Sequence, residues 1–250
     1  TKKTTAIVPW EQEMAASAVA AAQAEKLTGL TKKISTKGGI LAVDRAASCA
    51  RITNWAAIDG ASTVCPAATA RTAASSAQFL NKMAALGIPM VGVDPSLVLC
   101  YRDEYVKALG PARGDFQVLL PQEWLLSLPA PQVSAAAKEP GEAEPWYLFA
   151  HCTEKTAKPS THGDWGTLFG RFGATLQPVS VGCCGMAGTY GHDARQVDNS
   201  KGIYSLSWAE PLAHLPKDRC LATGYSCRSQ VKRMEGEKLK HPLQALLELL

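Results

Sequence analysis

Three short apolar runs in the second half of this 250-residue chain each run into a cysteine-bearing turn. Residues 146–150 lead to His151-Cys152, residues 177–181 to Gly182-Cys183-Cys184-Gly185, and residues 219–223 to Gly224-Tyr225-Ser226-Cys227. Runs this short, rich in aromatic and branched residues and closed by glycine, read as buried strands. The intervening segments, 153–172 and 192–214, have helical or loop character, with apolar residues at Val197, Ile203, Leu206 and Leu212 in the second. Strands that alternate with helices predict an α/β fold with a small parallel sheet. In such sheets ligands sit outside the carboxyl ends of the strands, and each predicted strand delivers cysteine at that end.

Cys183-Cys184-Gly185 restricts the local backbone further. Adjacent cysteines cannot bridge each other without strain, and in an extended strand their side chains point to opposite faces. Both reach one centre only where the chain turns sharply, which Gly182 and Gly185 permit. Gly188 and Gly191 keep the following loop slim enough for backbone N–H groups to approach an anionic centre. Cys152, Cys183, Cys184 and Cys227, too far apart in sequence for a local knuckle, supply the four thiolates of an iron–sulfur cluster or of a closed zinc site. A set of reduced, buried cysteines is the plainer alternative. Cys220, at the start of its strand, is expected to be a buried thiol, as are Cys49 and Cys65; Cys100, one helical turn past Leu97, is expected to be core, a substitute ligand being the alternative.

Eight cysteines without an apolar segment behind Lys2 and Lys3 predict a reducing compartment and no export signal. The expected location is the cytoplasm, with peripheral attachment to the inner membrane as the alternative. No apolar run approaches the roughly 20 residues of a membrane helix. The net charge of +4, from 26 basic and 22 acidic residues, is too mild and too scattered to indicate nucleic acid. The sequence begins with Thr1 rather than Met, as expected of a fragment of a longer polypeptide.

Residues 129–145, rich in Pro, Ala and Glu, read as a linker. It separates a first module, 1–128, from a second, 146–250, and the two can be overlaid. Residues 7–10 and 40–43 match the first two cysteine-bearing steps, and residues 90–97 match 221–227 as strand, small turn, Ser and helix start. Leu97 falls where the second module has Cys227. The expectation is a tandem repeat in which the first copy has lost its ligands. Residues 241–250 predict an amphipathic helix begun at Pro242 that packs on this region or on a neighbouring domain, a membrane-surface role being the alternative. Asp193 is expected to cap a helix, and Arg102, Asp103 and Glu104 to form a solvated face or a domain contact.

The motifs His151-Cys152-Thr153-Glu154-Lys155-Thr156, Gly182-Cys183-Cys184-Gly185-Met186-Ala187-Gly188 and Gly224-Tyr225-Ser226-Cys227-Arg228-Ser229-Gln230, followed by His241-Pro242, resemble the cysteine-rich CCG domain of iron–sulfur redox enzymes. The additional run 87–105 is similar to the C-terminal region of large FAD-linked oxidases of D-2-hydroxy acids, the bacterial D-2-hydroxyglutarate dehydrogenase family. The resemblance covers roughly residues 71–250. It implies an electron-transfer segment in which Cys152, Cys183, Cys184 and Cys227 hold a 4Fe-4S cluster, with Gly185 and His151 beside it. It implies FAD and a ferredoxin-like domain elsewhere in the same polypeptide, a downstream electron acceptor, and D-2-hydroxyglutarate or D-lactate as substrate. Neither a flavin signature nor a CxxCxxCxxxCP run occurs here, so the chain is not expected to oxidise a hydroxy acid alone. Position 224 is Gly where the family has a second Cys-x-x-Cys cysteine, which leaves no spare ligand. His151 and Arg228 are candidates for tuning the centre, a structural imidazole and a surface salt bridge being the alternatives. A zinc module or a metal-free docking domain are the competing functions.

Overall fold

The computed structural model describes residues 66–130, 144–188 and 190–250. The expected steps at 7–10 and 40–43, Cys49, Cys65 and most of the linker lie outside these residues.

The chain enters with α1 (Pro66–Ala85), which stops where Gly87 adopts φ +68°. β1 (Met90–Val91), α2 (Pro95–Arg102), α3 (Glu104–Leu109), β2 (Val118–Leu119) and α4 (Pro121–Ser127) follow. β1 and β2 form a two-stranded parallel sheet, Met90 beside Val118. Leu80, Val98, Tyr101, Tyr105, Phe116 and Leu120 fill the core between this sheet and its helices. Cys100 belongs to that core. Arg102 pairs with Glu123 and donates to the Val118 carbonyl at 2.8 Å, locking α2 to β2 and α4.

From residue 146 onward come β3 (Trp146–Phe149), α5 (Cys152–Ala157), α6 (Thr161–Arg171), β4 (Leu176–Pro178), α7 (Val197–Ser207), α8 (Ala209–His214), β5 (Cys220–Ala222), α9 (Tyr225–Glu235) and α10 (Pro242–Glu248). β3, β4 and β5 form one parallel sheet in the order β4-β3-β5. Alternation along the strands sorts the core into two layers. Trp146, Leu148, Ala150 and Leu221 face Trp165, Leu168, Phe169 and Leu246, whereas Phe149, Cys220 and Ala222 face Tyr204, Trp208, Leu212 and Val231. Mixed helices and small parallel sheets are the α/β arrangement the alternation predicts.

Several details depart from the expectation. The middle strand is shorter and lies earlier than 177–181. Val179 still donates to the Leu148 carbonyl at 2.9 Å, then the chain leaves the ladder toward Gly182. Pro178 is tolerated there because β4 is an edge strand. The segment 153–172 is two helices parted around Pro159. Asp193 caps no helix: Gln196 precedes α7, and the Asp193 carboxylate takes the backbone N–H of Arg195 at 2.9 Å and pairs with its guanidinium, which holds its pKa down near 2. Among the described residues no helix is long and apolar enough to cross a membrane.

Candidate functional site

The strand order fixes where a site can form. From β3 the chain crosses to β4 on one side and later to β5 on the other, so the connections diverge between β3 and β5. At such a switch point the loops after the two strands part and leave a crevice at the carboxyl ends. The β3 loop carries His151 and Cys152, and the β5 loop carries Gly224 and Cys227.

His151 is the N-cap of α5. Its Nδ1 accepts from the Thr153 N–H at 3.3 Å, which puts the hydrogen of a neutral ring on Nε2, 3.4 Å from Ser226 Oγ. The ring is buried, not an exposed structural imidazole. Across the crevice, a Cβ at Gly224 would lie 2.3 Å from His151 Cδ2 and 3.1 Å from Cys227 Sγ. Glycine at 224 is therefore a packing requirement: the imidazole occupies the space a side chain there would need.

The Cys183-Cys184 loop after β4 is held from several directions. Gly182 N–H donates to Ser207 Oγ at 3.1 Å, the Trp208 indole donates to the Gly182 carbonyl at 3.1 Å, and Lys155 donates to the Val181 carbonyl. Gly185 has φ +85°, and a Cβ there would lie 2.2 Å from the Ser200 carbonyl oxygen, so only glycine fits. Its N–H points at Cys183 Sγ, 3.3 Å away. Ser200 in turn accepts from the buried Gln230 amide at 3.0 Å, and Arg233 donates to the Gly191 carbonyl, so α9 braces the loop. Gln230 and Ser200 carried no recognisable sequence signal beyond Gln230 closing the third motif.

The four thiols form an electrostatically coupled row: Cys152 is coupled to Cys183, Cys183 to Cys184, and Cys184 to Cys227. Cys184 and Cys227 are buried, whereas Cys152 and Cys183 are half-buried at the outer end. The Cys183 contact and burial push the Cys152 thiol well up. At Cys184 the Cys183 contact lowers the pKa, but the Cys227 contact and burial outweigh it and raise it to about 12. Cys220, pushed up to about 12 by burial and Asp218, lies in the same apolar core layer as Cys184 and Cys227. Among the described residues no group of three or more His, Cys, Asp or Glu side chains stands ready to hold a metal ion. The donor set is nonetheless of the kind a thiolate-bound group takes: four free thiols on the loops after β3, β4 and β5, a backbone N–H aimed at one of them, and glycines at 185 and 224 where Cβ atoms would intrude. Arg228 is buried rather than in a surface salt bridge; its Nε lacks a hydrogen-bond partner, and burial lowers its pKa against the smaller opposing effect of the Asp94 carboxylate.

No protein-family model and no solved structure matches the chain. Curated relatives do. D-2-hydroxyglutarate dehydrogenase of Pantoea ananatis is 62% identical over 181 residues, which is 72% of this chain and 17% of the relative. The proteins of the same name from Escherichia coli and Pseudomonas putida are 60% identical over 181 residues and 47% identical over 182, again 72% of this chain and 17% of each relative. The chain thus spans less than a fifth of the length of the relatives it matches, and its C-terminal region is homologous to a segment of D-2-hydroxyglutarate dehydrogenases.

Proposed function

We propose that this chain is the electron-transfer segment of a larger FAD-dependent, iron–sulfur oxidoreductase of D-2-hydroxy acids, with Cys152, Cys183, Cys184 and Cys227 as ligands of a 4Fe-4S cluster. The electrostatic coupling of the four thiols across the loops after β3, β4 and β5 carries this reading. A bound cluster would supply one-electron chemistry without moving atoms far. The chain's own residues set its surroundings. Cys184 and Cys227 lie in the apolar layer with Met186 and Val231, which keeps water from the inner end. The Gly185 N–H and the buried Arg228 guanidinium favour negative charge at the sulfurs. The half-buried Cys152 and Cys183 form the outer end, from which electrons would leave toward an acceptor. His151 packs between the Cys152 and Cys227 loops and holds their orientation. Flavin, ferredoxin-like domain and hydroxy-acid substrate belong to the remainder of the polypeptide in this reading, and the segment works in the cytoplasm.

The test is iron and acid-labile sulfide content of the chain purified without oxygen, with EPR spectra of the oxidised and reduced protein. About four irons and four sulfides per chain, lost on Cys183→Ser or Cys184→Ser, are expected. Zinc without iron, or metal content indifferent to these replacements, overturns the proposal.

A further inference from the structure

A buried carboxylate behind the thiols ties their two flanking loops together. Glu154 has no exposed surface and accepts three hydrogen bonds: Gln122 Nε2 at 2.8 Å and Thr161 Oγ1 at 2.5 Å on Oε1, and Thr223 Oγ1 at 2.5 Å on Oε2. The neighbouring amide and backbone donors orient the two hydroxyls. Gln122 also donates to Thr161 Oγ1 at 3.0 Å, so the Thr161 hydroxyl hydrogen is free for Glu154. Thr223 Oγ1 accepts from the His151 N–H at 2.9 Å, so its hydrogen likewise goes to Glu154. Glu154 stands two residues after Cys152 on α5, and Thr223 stands four residues before Cys227 at the end of β5.

We infer that Glu154, acting through Thr223, is the positioning residue that sets the spacing of the Cys152 and Cys227 loops. An ordinary structural role predicts that its three hydrogen bonds are interchangeable. The geometry says otherwise, because the Thr223 arm closes a ring through His151 N and spans the crevice, whereas the Thr161 arm leads to α6 and, through Gln122, to α4, away from the crevice. A buried carboxylate deprived of one donor keeps its desolvation cost, so loop spacing yields before the remaining bonds do. The inference rests on the proposed metal-binding reading for its role, but the loop spacing itself can be measured without metal.

The experiment compares Thr223→Val with Thr161→Val, each removing one hydroxyl from the same carboxylate at nearly constant volume, and with Thr223→Ser, which restores the hydroxyl. In the 250-residue chain prepared without oxygen, T223V should lose at least half of the bound iron and sulfide and broaden the EPR signal. T161V, with a similar fall in Tm, should keep both, and T223S should behave as wild type. In metal-free protein, T223V should speed alkylation of Cys152 and Cys183 by iodoacetamide at least fivefold, and T161V should leave it unchanged. Equal effects of T223V and T161V, or alkylation rates that follow Tm alone, overturn the inference. A wild-type chain without iron that still shows the alkylation contrast overturns the cluster reading and leaves the positioning role standing.

Discussion

The turns after β1 and after β5 are built alike and finish differently. Each leads from a short parallel strand into a helix whose second residue is Ser, at 96 and at 226, and whose third is buried, Leu97 in one and Cys227 in the other. The first helix is capped by its own chain: Asp94 Oδ1 accepts from Ser96 N at 3.0 Å and from Leu97 N at 3.3 Å. The second begins at Gly224 with no side-chain cap, and its Tyr225 N–H is taken at 3.0 Å by the other oxygen of Asp94. A self-capped start followed by leucine satisfies its own donors and buries carbon. An uncapped start followed by cysteine leaves donors and a sulfur facing the crevice. The difference between scaffold and site therefore lies in two positions, the cap and the third helical residue, and Asp94 joins the two turns.

Copying the first turn's cap into the second tests this most severely. Gly224→Asp should cost about 3 kcal/mol, because the new side chain must displace His151, and it should break the Cys152–Cys227 crevice; urea unfolding measures the first effect and alkylation of Cys152 the second. Removing the shared cap is the next largest effect. Asp94→Ala should cost about 2 kcal/mol, since α2 loses its cap, Tyr225 N loses its acceptor, and the buried Arg228 loses its neighbouring carboxylate; Asp94→Asn should recover the capping part and not the charge, and thermal unfolding of both variants separates the two.

A third cap adds a pH test. His241 Nδ1 accepts from Leu243 N at 3.1 Å at the start of α10, and full burial together with the Arg228 charge holds its pKa well below the ordinary value of 6.5. The unfolded chain therefore binds a proton that the folded chain refuses, so this contribution to stability is complete above about pH 6.5 and is lost as pH falls below it, at up to about 1.4 kcal/mol per pH unit. His241→Asn keeps a capping acceptor and should flatten that slope in urea unfolding between pH 5 and 7, values chosen to bracket the ordinary histidine range. The smallest effect belongs to Leu97→Cys. A thiol in the first turn has no Cys-Cys loop to meet among the described residues, so metal content should stay at the wild-type value while stability falls by about 1 kcal/mol from lost packing.

The strands at 146–149 and 220–222 were legible because continuous apolar runs bounded by glycine or charge have few other places to go. The one after Thr175 was misplaced, because an edge strand needs only one ladder and its end is decided by where the Cys183-Cys184 loop must turn. Cys227, Cys183 and Gly185 could be singled out from spacing and from glycine's freedom. Glu154, Thr223, Gln230 and Ser200 could not, since a polar residue carries no periodic signal and its partners lie 30 to 70 positions away. Arg228 could be read equally as a charge beside the centre or as a surface salt bridge for the same reason: sequence does not say that Arg228 is buried near Asp94 and His241.

What the amino-acid order determined alone is the supply of parts: apolar runs that must pair in parallel, glycines that permit tight turns, and thiols at the ends of those runs. These follow from local sterics and side-chain polarity, which are properties of a few neighbouring residues. The tertiary structure decided which loops face each other. The order β4-β3-β5 brings Cys152 beside the loop of Cys227, the His151 ring dictates glycine at 224, and a buried carboxylate holds the gap. Those outcomes depend on burial, which removes water as a competing partner and makes each distant hydrogen bond obligatory.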